Sequence, residues 1–206
     1  MNVKQRLDRI PLEYSLTARR FHWWSVGFVA VLITLGTVMT DRSADKTVIV
    51  AGKSTVVPGI WDATTNALYS SHKLIGFIFL FVVLARLYYR VRNGAPPDEP
   101  TLEPWQKLAS HATHWGLYAL LIGVPLGGWM GVQLYPSREV FGLFSLPAFL
   151  SPNQAMAETI FKFHGIGAKL IFAFVLLHVG AALFHHLIRK DGVLRRMWPG
   201  LGLGKK

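Results

Sequence analysis

Phe21-His-Trp-Trp-Ser-Val-Gly-Phe-Val-Ala-Val-Leu-Ile-Thr-Leu-Gly-Thr-Val-Met39 carries no Asp, Glu, Lys or Arg. At about 1.5 Å of rise per residue, a helix of this length crosses a hydrocarbon layer of roughly 30 Å. Working outward, Leu74 to Ala85 is a shorter apolar run, which becomes a span with polar ends once Asn66 to Lys73 and Arg86 to Tyr89 are added. Leu108 to Tyr135 is again free of Asp, Glu, Lys and Arg. It holds Pro125 among Gly123, Gly127, Gly128 and Gly131, so a kinked helix packed closely on its neighbours is expected. A fourth run, Thr159 to Ile188, includes Lys162 and Lys169 but is otherwise mostly apolar. The expectation is an all-α membrane protein, a four-transmembrane-helix bundle in one domain (1–206), with helices over about 16–40, 66–92, 105–135 and 157–189.

Composition agrees. The chain has 206 residues, 51% of them hydrophobic and only 16% charged, which is too apolar for an ordinary soluble domain. Its net charge of +11 would suit a nucleic-acid binder, but the Lys and Arg residues cluster beside the apolar runs, so no nucleic-acid partner is expected. The absence of Cys excludes disulfides, iron–sulfur clusters, Cys-ligated zinc and covalently attached haem. Met1 to Arg20 shows neither an apolar core nor a small-residue cleavage site, so the first span is expected to be retained.

Four spans return the chain to its starting side. Fifteen of the 22 Lys and Arg residues lie before the first span, between the second and third, or after the fourth, which assigns both termini to the cytoplasm. Pro96, Pro97, Pro100 and Pro104 make the cytoplasmic connection extended. In the outer connection, Thr47 to Val50 and Ser54 to Val57 flank Ala-Gly-Lys in a pattern expected to form a small hairpin. Between Pro136 and Glu158, the apolar Phe141, Leu143, Phe144, Leu146, Phe149 and Leu150 are expected in the headgroup layer.

All eight histidines, at 22, 72, 111, 114, 164, 178, 185 and 186, fall in or at the mouth of a predicted span. Ionisable groups there are costly and usually face the bundle interior, although a lone membrane histidine often does no more than bond a carbonyl or water. His72 and His164 enter from the outer side at one depth. On the inner side His22 and His178 compete with His111, His114, His185 and His186, and His22 matches His178 in depth only if helix one begins before Phe21 or helix four runs past the interface. His164 and His178 are separated by about 21 Å of helical rise and lie on nearly the same face. One helix can thus serve two stacked centres. Two imidazoles from separate helices suit a six-coordinate haem, which would restrict the iron to outer-sphere electron transfer. Gly76, Gly167 and Ala182, one turn from these histidines, leave room for a flat ring or simply let helices pack.

Arg20-Phe-His-Trp-Trp24, His72-Lys-Leu-Ile-Gly76 with Arg86-Leu-Tyr-Tyr-Arg90, Ser110-His-Ala-Thr-His-Trp-Gly-Leu-Tyr118 leading to Pro125, and Phe163-His164-Gly165 with Leu177-His-Val-Gly-Ala-Ala182 and His185-His186 recur in one order through all four spans. This ordered set resembles the bacterial cytochrome b561 family, including its superoxide oxidase members. The resemblance implies two non-covalent haem b groups, with His22 and His178 as iron ligands of the inner one and His72 and His164 of the outer one. It implies electron exchange with membrane quinone, in some members oxidation of superoxide at the outer face with reduction of ubiquinone. Related four-helix subunits serve instead as electron-relay anchors for a soluble redox partner such as a hydrogenase or formate dehydrogenase. The long outer segment Asp41 to Ser71 departs from the family pattern and leaves the outer donor open.

Around the proposed haems, Lys73, Lys162 and Lys169 are placed to neutralise propionates or draw in an anion such as superoxide, or simply to snorkel. Arg19, Arg20 and Arg86 are placed for inner propionates as well as for the positive-inside rule. His111 and His114 are candidates for a quinone or proton site, since quinone reduction consumes protons, against the plainer reading of polar inter-helix contacts. A haem-free metal-ion transporter is the competing class.

Overall fold

A computed structural model describes residues 13–50, 53–136 and 138–199. The cationic Lys4, Arg6, Arg9, Lys205 and Lys206 and the hairpin's Ala51 and Gly52 lie outside the described residues. Among the described residues, four helices are long and apolar enough to cross a membrane. They are α1 (Leu16–Ser43), α2 (Ala63–Asn93), α3 (Pro104–Leu134) and α4 (Gln154–Phe184), the last continued by a π-helical turn, His185–Arg189.

Local chemistry sets the ends of these helices. Ser15 Oγ accepts the Ala18 amide (3.2 Å), Asp62 Oδ1 the Thr65 amide (2.8 Å) and Asn153 Oδ1 the Met156 amide (3.1 Å), each a side-chain cap on an otherwise orphaned N–H. α3 instead opens on Pro104, whose missing N–H costs nothing at a first helical position. Gly94, at φ +72°, closes α2 through its amide on the Arg90 carbonyl. Within α1, the hydroxyls of Thr34, Thr37 and Thr40 bond carbonyls one turn back, so these three are not left bare against lipid.

The outer segment forms the expected hairpin, β1 (Lys46–Val50) antiparallel to β2 (Lys53–Val57). Its return to the end of α1 needs Gly59, whose Cα rests on the Ser43 backbone where a Cβ would collide. The second outer loop carries a two-residue ladder, β3 (Glu139–Val140) with β4 (Phe144–Ser145). Here one expectation is corrected. Leu146 does not face the headgroup layer: it is buried with Val132 and Val140 and packs on Leu74, Phe77 and Phe161. The loop is folded inward by Trp129 Nε1 on the Pro147 carbonyl and by the Phe149 amide on Gln133 Oε1. Phe141, Leu143, Phe144, Phe149 and Leu150 remain exposed.

α3 stays helical through Pro125. Its close packing occurs at Gly128 and at Gly131, which meets the Phe161 ring, whereas Gly123 and Gly127 have nothing within 4 Å. The chain divides into two compact units, one comprising residues up to 24, 82–122 and 169 onward, the other 25–81 and 123–168. Large apolar side chains such as Phe81, Leu84, Phe172 and Leu176 are exposed along the helices, as expected for a surface solvated by lipid.

Candidate functional site

In the unit containing residues 25–81 and 123–168, α2 presents His72 and α4 presents His164 with ring centroids 6.0 Å apart and planes at 82°. In the other unit, α1 presents His22 and α4 presents His178 at 6.1 Å and 61°. Two imidazoles on opposite sides of one first-row metal ion, at a metal–nitrogen bond of about 2.0 Å, have centroids roughly 6.3 Å apart. Both couples have the spacing that a haem iron held between two histidines would need. His114 also lies against His178, at 5.2 Å, a spacing too short for two rings on opposite sides of one metal ion. The depth problem of the His22 couple is met from both ends: α1 begins at Leu16, ahead of Phe21, and the π turn carries the fourth span on to Arg189.

The rings differ in their supports. His164 Nδ1 bonds the Val124 carbonyl at 2.9 Å, so it carries the proton and leaves Nε2 free to bind metal. The Leu32 carbonyl approaches the His72 ring without closing a good hydrogen bond to its buried Nδ1. The Arg86 guanidinium donates to His22 Nδ1 (3.2 Å) while lying 5.3 Å over the Tyr118 ring; this bond puts the His22 proton on Nε2, so Nε2 would bind a metal only once Arg86 releases Nδ1.

Of the other cations, Lys73 donates to the Glu139 carbonyl, which engages it with the second outer loop. Lys162 and Lys169 are exposed on α4, and Arg20 is exposed on α1. Gly76 faces Leu32 and Gly167 is filled by Val124, so both serve contact between helices. His185 is engaged elsewhere: its Nδ1 bonds Asp191 at 2.6 Å with both side chains buried, and this pair holds the π turn closed.

His111 and His114 both line a cleft of about 60 Å³, together with Tyr14, Arg90, Asp98 and Ser110. At roughly 10–15 Å³ needed per water, that space holds about four to six waters. His111 Nε2 meets Asp98 Oδ1 at 3.2 Å near the surface, and His114 Nδ1 meets Ser110 Oγ at 3.3 Å further in. Sequence reasoning overlooked Asp98. Its only signal was a carboxylate in a proline-rich connection ahead of a histidine-bearing helix.

The family profile described as prokaryotic cytochrome b561 matches residues 13–200. The chain belongs to the prokaryotic cytochrome b561 family. Cytochrome b561 homolog 2 of Escherichia coli (strain K12) is 28% identical over 189 residues, 91% of this chain and 92% of that protein. Cytochrome b561 homolog 1 of the same strain is 33% identical over 124 residues, 59% of this chain and 70% of that protein. The probable superoxide oxidase CybB of Yersinia pestis is 31% identical over 132 residues, 62% of this chain and 73% of that protein. As a b561 cytochrome, this chain is a multi-pass bacterial membrane protein of electron transport that binds haem b.

Proposed function

We propose that this b561 cytochrome holds two haem b groups, one between His22 and His178 and one between His72 and His164, and carries electrons from superoxide at the outer face to ubiquinone. The observation that carries the reading is the pair of imidazole couples at 6.0 and 6.1 Å, each drawn from two helices. A haem with both axial positions filled supplies single-electron, outer-sphere transfer. The clustering of fifteen of the 22 Lys and Arg residues before the first span, between the second and third and after the fourth supports a topology with both termini in the cytoplasm and the His72 couple outward. Two superoxide anions each give up one electron and leave as dioxygen, and one quinone takes both electrons with two protons. Superoxide as donor follows the name of the Yersinia relative.

In this reading Arg20 and Arg86 neutralise inner propionates, and Lys73 and Lys169 serve the outer haem or its anionic donor. The cleft of Asp98, His111, Ser110 and His114 admits protons to the quinone side.

Purified protein should give a b-type reduced-minus-oxidised spectrum with two haems per chain, and a folded preparation without haem would end the proposal. His72→Ala or His164→Ala should remove one haem and spare the other. Stopped-flow mixing of superoxide with quinone-loaded protein should reduce quinone at half the rate of superoxide loss.

One observation favours a second reading. The β1–β2 hairpin exposes Val48, Ile49, Val50, Val56 and Val57, a surface suited to a soluble dehydrogenase- or hydrogenase-type partner for which this chain would be the relay anchor. Co-purification of such a subunit, with no superoxide or quinol activity in the isolated cytochrome, would select that reading.

A further inference from the structure

A Cβ at Gly128 would lie 2.8 Å from His164 Cε1 and 3.0 Å from its Nδ1, and a Cβ at Gly36 would lie 3.2 Å from His72 Cε1. Each glycine stands four residues after the carbonyl that its histidine approaches: Val124 before Gly128 on α3, Leu32 before Gly36 on α1. In a helix the carbonyl of residue i already accepts the amide of residue i+4, and the Cβ of i+4 leans back toward that same carbonyl. A side chain there covers the oxygen's second lone pair. Glycine uncovers it, so an imidazole from the next helix can share the acceptor.

We propose that Gly128 and Gly36 are positioning residues that seat His164 and His72 against neighbouring backbone, setting the plane of each ring and, at His164, its tautomer. The inference rests on the reading of these histidines as ligands of one haem. Repetition of the same four-residue offset on two different helices is what raises it above ordinary helix packing. Gly128 is the tighter seat, because the His164 bond to Val124 is closed while the buried His72 Nδ1 has no partner of good geometry among the described residues.

The test uses the full-length holoprotein in detergent, with Gly128→Ala, Gly36→Ala and Gly27→Ala. Gly27 is the control: it has nothing within 4 Å and lies nine residues from Gly36, on about the opposite face of α1. Two quantities are read, haem per polypeptide and the low-field electron paramagnetic resonance of ferric low-spin haem, which depends on the angle between the two imidazole planes. Gly128→Ala should shift or abolish the outer-haem signal and leave the inner one. Gly36→Ala should do the same to a smaller extent, and Gly27→Ala should match the parent. Parental haem content and signal in Gly128→Ala would overturn the proposal. So would loss of both haems, which would mark Gly128 as a residue of general packing. His164→Ala separates the underlying reading: retention of both haems there refutes the ligand assignment, whereas loss of one haem with a silent Gly128→Ala refutes the seat alone.

Discussion

Arg86 combines two contacts that a lysine cannot reproduce, a flat guanidinium over Tyr118 and an N–H on His22 Nδ1. A fixed positive charge beside a haem favours the reduced state. Arg86→Ala should therefore lower the inner midpoint potential by roughly 50–100 mV, taking an effective dielectric of about 20 over about 10 Å. Arg86→Lys should keep most of the charge effect while altering the spectrum, and redox titration of both variants checks this. At the same scale, Asp98→Asn should slow quinone reduction more than haem reduction, since it removes the carboxylate facing His111 at the cleft mouth. Equal slowing of both steps would count against a proton route there.

At the scale of elements, α2 was the span hardest to see, because its apolar run is flanked by polar turns. Asp62 shows why it nevertheless starts where it does. Its carboxyl is held below its ordinary value chiefly by the Thr65 amide, with further help from the Thr65 hydroxyl and Arg42. A depressed carboxylate stabilises the fold above its unfolded-chain value of about 3.9 and loses that contribution as pH falls through the lower folded value. Hydrogen exchange at the Thr65 amide should therefore stay protected down to about pH 4 and open below it, and Asp62→Ala should open it at every pH. Apolar runs and the shared depth of His72 and His164 were legible because they depend on neighbours in sequence or on helix arithmetic. The His185–Asp191 pair was not, since only a π turn brings those residues together. Nor was the burial of Leu146, which depends on a loop folding back on Val132 and Val140.

For the whole molecule, orientation is the expectation most open to direct measurement. The native chain contains no Cys, so single substitutions report without background. Ser54→Cys on β2 and Arg195→Cys after the π turn are both exposed positions. An impermeant maleimide should label the first in intact cells and the second only after permeabilisation. The reverse pattern would invert the proposed topology.

The segment after the π turn is latched to the body of its unit. Arg196 pairs with Glu99 at 3.0 Å and reaches the Pro97 carbonyl at 2.5 Å, while the Trp23 indole, adjoining His22 in sequence, donates to the Met197 carbonyl at 3.2 Å. Anyone shortening this chain for crystallisation or fusing a reporter to it therefore has a boundary to respect. A cut placed before Arg196 strands the Glu99 carboxylate and frees the indole beside His22, whereas an extension added beyond Trp198 leaves both anchors intact.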